Sequence, residues 1–142
     1  MQHRKIVLPE FLNDQGFLFG GNLLKWVDES AYITASLDFP DNRLVTVSLS
    51  EVNFNHPIQP GELLCFDVQL MRRGNTSVTY EIDVFGEKLA GTDEPLFGTK
   101  ITFVNVGDGG APQPLGPSDK YSQDRAQLNT NGPENRELKA SR

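Results

Sequence analysis

The sequence predicts one α+β domain, in which an antiparallel sheet packs against a single long helix. Two observations carry this prediction. Apolar residues recur at helical spacing from the glycine pair at 20–21 to about Asp38, and Pro40 then forces the preceding residue out of helical geometry. Stretches rich in Val, Thr, Leu and Phe follow, and the short turns between them suit antiparallel neighbours.

The predicted strands differ in how strictly they alternate. The first ends at Pro9, which has no amide hydrogen to donate. The clearest alternation places Leu64, Phe66 and Val68 on one face of a strand, and the turn at 74–75 leads into the next. The predicted strands cover residues 4–8, 43–54, 63–72, 76–84 and 97–106.

The composition changes near Gly107. From there to Arg142 a few apolar residues are scattered among many Pro, Gly, Asn, Gln and Ser. Such a segment buries too little surface to offset the entropy of ordering it. We therefore predict a folded domain at 1–106 and a flexible C-terminal tail at 107–142.

Charge and composition exclude several classes of protein. The net charge of −6 argues against a partner that is a nucleic acid or an anionic membrane, because a protein that binds either of them needs a basic face. No apolar run reaches membrane-spanning length, and the N-terminus does not resemble a secretory signal. The single cysteine fits a reducing compartment, so we predict a cytoplasmic protein. No spacing typical of a metal site or a nucleotide cofactor is found, so neither is expected.

Asp28 is the most informative single residue of the predicted helix. At about 100° per residue it shares a stripe with Leu24, Ala31 and Ala35, which predicts a carboxylate facing the interior. Such a group can activate a water molecule or attack an acyl carbon. The alternative is an Asp that is bonded to backbone amides or to a Ser or Thr of the sheet.

Gly20 and Gly21 lie where this helix begins. Free amides at a helix N-terminus can donate to a carbonyl oxygen as it gains negative charge, although a glycine pair is often only a tight turn. Followed seven residues later by Asp28, the pair predicts an oxyanion site beside a base. Asn13 precedes Gly16 in an N-x-x-G pattern, which is most often a turn.

Three sequence blocks resemble one known family. They are N-x-x-G-x-x-F-G-G-x-L-x-x-W-x-D at 13–28, V-T-V at 45–47 running into N-F-x-x-P-I-x-x-G-E at 53–62, and G-x-T-S-V at 74–78. Over about residues 6–106 the chain resembles the cytosolic acyl-CoA thioester hydrolases of the bacterial short-chain acyl-CoA thioesterase type. The resemblance implies the hotdog fold, a curved antiparallel sheet of about five strands wrapped around a central helix.

The resemblance also implies site residues and partners. Asp28 matches the catalytic carboxylate, and Asn13 gains a polar role in orienting the water or the thioester carbonyl. In the family this Asn and this Asp come from different subunits, so a dimer is expected, with three dimers commonly forming a hexamer. The substrate is acyl-CoA, and its phosphates are expected near the turn that carries Arg72, Arg73, Thr76 and Ser77.

Two rival functions remain open from the sequence. A dehydratase on the same fold would pair a His with an acidic residue, but His56 lies in a turn at a strand end. A non-catalytic acyl-CoA sensor would bind without turnover, and replacing Asp28 with Asn would separate it from an enzyme. Cys65 is expected to be buried packing. The Phe-rich segment with Phe11, Phe17 and Phe19 is either core or the wall of an acyl tunnel, and core is the expectation.

Overall fold

The structure is a computed structural model that describes residues 1–88 and 93–118. Within these residues one helix lies on a five-stranded antiparallel sheet, and two single turns of 3₁₀ helix lie at Pro9–Phe11 and Asp108–Gly110. This confirms the predicted class and the order of strand, helix and four strands. The elements are β1 (Gln2–Ile6), α1 (Gly20–Asp38), β2 (Leu44–Phe54), β3 (Leu63–Arg73), β4 (Ser77–Gly86) and β5 (Phe97–Asn105).

The strand order in the sheet is β1-β3-β4-β5-β2. The chain leaves β1, forms α1, and then crosses to the opposite edge of the sheet to form β2. Because β2 pairs only with β5 among the described residues, its other side presents unpaired backbone groups. A long unpaired edge of this kind is a template for another strand.

The core lies between α1 and the inner face of the sheet. Val27, Ala31 and Ala35 of the helix are fully buried, and so are the large rings of the sheet, among them Tyr80 and Phe103. Small helix residues opposite large sheet residues let the two layers interlock at high packing density. This packing fixes the start of α1 and both edges of its buried face, where the candidate site residues lie.

The first strand begins and ends two residues earlier than predicted. β1 runs from Gln2 to Ile6 because its partner β3 begins at Leu63, which is opposite Ile6. Val7 lies beyond the ladder and bonds to the loop before β3, where its amide donates to the carbonyl of Glu62 at 2.9 Å. Periodicity alone could not predict where β1 ends, because the position of its partner strand β3 determines that end.

Residues 107–118 lie against the domain. The amide of Leu115 donates to the carbonyl of Asn75 at 2.9 Å, and the amide of Gly116 donates to Asn42 Oδ1 at 2.9 Å. Leu115 is buried. The contacts of the domain thus extend past the predicted boundary at 106, and the rest of the predicted tail, 119–142, lies outside the described residues.

The described helices include none that is both long enough and apolar enough to cross a membrane. In the same residues, His, Cys, Asp and Glu form no group of three or more that could hold a metal ion.

Candidate active site

The start of α1 presents two free backbone donors. The helix begins at Gly20, and no side chain caps it. The amides of Asn22 and Leu23 turn back to the carbonyl of Phe19 at 3.0 and 3.3 Å. Within the described chain the amides of Gly20 and Gly21 donate no hydrogen bond, so both are available to an incoming oxygen.

Asn13 closes the turn that precedes the helix. Its side-chain oxygen Oδ1 accepts from the amides of Gln15 at 2.9 Å and Phe17 at 3.0 Å. Gly16, with φ of +82°, supplies the left-handed backbone of this turn. Two backbone donors fix which end of the amide is oxygen, so the NH₂ group is the end left for other partners. Asn13 can therefore close the turn with its oxygen and still offer its NH₂ group to the site.

Asn13 and Gly20 line the same cavity, which has a volume of about 410 Å³. We call Asn13, Gly20 and Gly21 the donor half-site. Phe54, the last residue of β2, also lines this cavity. Its ring rests on the start of α1, since an added Cβ on Gly20 would lie 3.2 Å from two ring carbons. The glycine therefore allows both the free amide and the close approach of the ring.

Asp28 lies on the flank of the buried face of α1, not inside it. Its side chain is half-buried and accepts a hydrogen bond from Thr46 Oγ1 at 2.8 Å. The expectation of an inward carboxylate fits Asp38 instead, which is 1% exposed and accepts from the Tyr80 hydroxyl at 2.7 Å. Ideal periodicity groups Asp28 with Ala31 and Ala35, but these two residues are fully buried, whereas Asp28 lies at the margin of the buried face beside Thr46 of β2.

Thr46 is a candidate site residue that the sequence alone did not single out. It lies near the start of β2, just before an irregularity in the pairing with β5 between Thr46 and Ser48. Such bulges re-aim a side chain, and they are common beside functional sites. We call Asp28 and Thr46 the carboxylate half-site. The only signal in the sequence is the V-T-V block, whose middle residue is this threonine.

The two half-sites are separate within one chain. Asp28 and Thr46 line a cavity of about 350 Å³ together with Lys25, Glu29 and Tyr32, and this cavity shares no residue with the one at Asn13. Seven residues of helix separate Gly21 from Asp28, a rise of about 10 Å. One thioester carbonyl therefore cannot touch both groups of the same subunit, contrary to the expected oxyanion site beside a base.

The predicted CoA-binding turn joins β3 to β4. Arg72 is exposed, and Thr76 and Ser77 are half-buried. Arg73 is already engaged, since its Nη2 donates to the carbonyl of Gly116 at 2.7 Å and its guanidinium stacks on the Phe39 ring at 5.1 Å. Among the four predicted CoA contacts, Arg72 is thus the guanidinium free to bind a phosphate.

His56 lies in the bend that follows β2, as expected, whereas Phe17 and Phe19 lie elsewhere than expected. His56 lines the cavity of Asn13 and is its sole titratable side chain among the residues described there. Phe17 and Phe19 are exposed rather than in the core. Cys65 is buried as expected, and burial raises the pKa of its thiol, which makes it a poor nucleophile.

Comparison with known proteins shows the family of the chain. The model of the thioesterase superfamily matches residues 15–91. The acyl-CoA thioester hydrolase YciA of Salmonella typhimurium is 30% identical over 118 residues, covering 79% of this chain and 86% of the relative.

Two solved structures share the fold. The hexameric thioesterase y2039 from Yersinia pestis has a TM-score of 0.73 and 28% identity, covering 80% of this chain and 93% of that one. A hexameric hotdog-fold thioesterase of Campylobacter jejuni has a TM-score of 0.71 and 23% identity, covering 89% and 92%. The predicted hotdog fold and the resemblance are confirmed. The chain therefore belongs to the thioesterase superfamily and, within it, to the acyl-CoA thioester hydrolases.

Proposed function

We propose that the protein hydrolyses acyl-CoA to a carboxylic acid and coenzyme A at a site shared by two subunits. One subunit contributes the carboxylate half-site and its partner the donor half-site. One observation carries this proposal: the half-sites lie toward opposite ends of β2, one of the two edge strands of the sheet. Thr46 is near the start of that strand, and Phe54 is its last residue.

Pairing of two β2 edges explains how the half-sites would meet. When two copies pair these strands antiparallel around a two-fold axis, the start of one β2 lies beside the end of the other. Thr46 and Asp28 of one copy then approach Phe54 and Gly20 of its partner. The symmetry produces the same meeting twice, so a dimer has two sites and a monomer has none.

The surface of β2 supports self-association. Four large apolar side chains of this strand are 37% to 55% exposed in the single chain, a costly surface to leave in water unless a partner covers it. They are Val45, Val47, Val52 and Phe54. The Yersinia pestis relative is hexameric. We propose the same assembly here, a trimer of dimers in a cytoplasmic protein.

The chemistry follows from the groups that meet. The Asp28 carboxylate either takes a proton from water that attacks the acyl carbon or attacks that carbon itself. The carbonyl oxygen gains negative charge and accepts from the amides of Gly20 and Gly21 and from the NH₂ of Asn13. The carbon–sulfur bond then breaks, and the sulfur leaves as the thiolate of coenzyme A, which takes up a proton. Where Asp28 itself attacks, the product of this step is an anhydride between Asp28 and the acyl group, and water then hydrolyses it to the carboxylic acid and the free Asp28 carboxylate.

Binding of the coenzyme would use the turn between β3 and β4. Arg72 offers a guanidinium to a phosphate, and the hydroxyls of Thr76 and Ser77 add donors. The internal contacts of Arg73 suit it to hold this turn in shape.

Release of coenzyme A from a panel of acyl-CoAs, followed with a thiol reagent, tests the proposal. We expect turnover by the wild type and a loss of about 10² to 10⁴-fold in Asp28→Asn, with binding retained in calorimetry. Glu29→Gln, which changes the neighbouring carboxylate, is the matched control and should remain active. Binding without release from any acyl-CoA would overturn the proposal in favour of a sensor.

A further inference from the structure

The cavity beside the free amide of Gly20 has apolar walls. Leu18, Leu23 and Ile58 are buried at its base, and the rings of Phe17 and Phe54 flank it. Its volume of about 410 Å³ lies within the range of small-molecule sites, and an apolar cavity of roughly 150 Å³ already holds benzene. A medium-length aliphatic chain or a phenyl group fits this space.

The position of the cavity relates it to the reacting carbonyl. An acyl carbonyl that accepts from the amides at Gly20 and Gly21 has its chain at the start of α1. There the Phe54 ring lies against Gly20 and also packs on Phe97, with ring centroids 5.3 Å apart. A chain attached to that carbonyl and entering the cavity must pass the Phe54 ring.

The charge of the lining limits which acyl groups the cavity accepts. Among the lining residues none is Lys, Arg, Asp or Glu, and His56 is the one side chain that can become charged. An acyl group ending in a carboxylate would lose its hydration there, and the lining residues of this chain offer it no permanent counter-charge in return, which is costly. An uncharged apolar acyl group has no charge whose hydration is lost, and its burial is favourable.

We propose that this cavity binds the acyl group and that Phe54 determines its size. The substrates would then be acyl-CoAs with uncharged apolar acyl groups of medium length or with a phenyl ring, and dicarboxylic acyl-CoAs would be poor substrates. This inference rests on the proposed function, because it takes the Gly20 and Gly21 amides as the donors to the acyl carbonyl.

The test compares kcat/KM for hexanoyl-CoA, phenylacetyl-CoA and succinyl-CoA in the wild type, Phe54→Ala and Phe19→Ala. We expect the wild type to prefer the first two over succinyl-CoA by about a hundredfold or more. Phe54→Ala should shift the optimum among saturated acyl-CoAs toward longer chains. Phe19→Ala removes an exposed ring outside the cavity lining and should leave that optimum unchanged.

The outcomes separate this inference from the function on which it rests. If no acyl-CoA is hydrolysed by the wild type, the proposed function and this inference are both overturned. Hydrolysis of succinyl-CoA as fast as hexanoyl-CoA, or equal shifts in Phe54→Ala and Phe19→Ala, overturns the acyl cavity alone. The acyl cavity is supported only if the wild type prefers uncharged acyl groups and the chain-length optimum shifts in Phe54→Ala but not in Phe19→Ala.

Discussion

Thr46 Oγ1 donates a hydrogen bond of 2.8 Å to Asp28 Oδ1 and thereby joins the edge strand β2 to the central helix. The hydroxyl leaves Oδ2 of the carboxylate free, and it fixes the rotation of the side chain on the flank of α1. A catalytic carboxylate must be held close to its productive geometry, so we regard Thr46 as the residue that positions Asp28.

Removing this hydroxyl should lower turnover without disturbing the fold. Thr46→Val keeps the shape of the side chain, and a hydrogen bond to a charged group is worth about 1.5–3 kcal/mol. We expect kcat to fall by about tenfold to a hundredfold while KM changes little. Thr46→Ser retains the hydroxyl and should stay near the wild-type rate, and Thr46→Val with full activity would remove Thr46 from the mechanism.

The turn occupies the side-chain oxygen of Asn13 and leaves its NH₂ group as the end that can donate in the proposed site. Asn13→Asp preserves an acceptor for the amides of Gln15 and Phe17 but replaces the NH₂ group with an oxygen. We expect its unfolding free energy to match the wild type within about 0.5 kcal/mol, and kcat to fall by about 10² to 10³-fold. If the side-chain oxygen instead oriented the water, Asn13→Asp would stay active.

The buried Asp38 has a structural role, in contrast to Asp28. Tyr80→Phe keeps the ring but removes the hydroxyl that donates to this carboxylate in the core, and the loss of such a buried hydrogen bond costs about 1–3 kcal/mol. We expect the variant to unfold at a lower urea concentration than the wild type and to keep an unchanged kcat/KM at 25 °C. A variant as stable as the wild type would show that the phenol does not stabilise the carboxylate.

Asp83 should make the stability of the fold depend on pH. Burial, with the nearby carboxylates of Glu81 and Asp67, raises the pKa of Asp83. Since the folded state then holds this proton more tightly than the unfolded chain, stability falls as pH rises from about 3.9, the ordinary Asp value, to the raised pKa. Asp83→Asn removes this loss.

We therefore expect Asp83→Asn to melt at a higher temperature than the wild type at pH 7 and to lose that advantage below about pH 4. Asp41→Asn, at an exposed position, is the control and should change the melting temperature little at either pH. An advantage for Asp83→Asn that persists unchanged in acid would contradict an origin in the carboxylate charge.

Much of the fold could be predicted because its signals are local. Pro40 and the glycine pair bracket α1, and alternation revealed β3 and β4. The end of β1 could not be predicted, because it depends on where β3 begins. Periodicity also could not tell Asp28 from Asp38, since a helix shows which residues share a face but not which strand that face meets.

The site was harder to predict than the fold, because some of its groups are distant from one another in the sequence. Asn13, Gly20, Gly21 and Asp28 lie in one block, so the sequence could single them out as candidates. Thr46 is 18 residues from its partner Asp28. His56 joins the cavity of Asn13 only because the loop after β2 returns to the start of α1. Contacts that form only in the tertiary fold cannot be predicted from the spacing of residues in the sequence.

Co-expression of Asp28→Asn and Asn13→Ala subunits with different affinity tags is the most direct test of a site shared between subunits. In a hybrid dimer one of the two sites receives an intact Asp28 and an intact Asn13. Random pairing should thus restore about a quarter of the wild-type activity, although each variant alone is inactive. Hybrids no more active than the parent variants would place both residues in a site within one subunit.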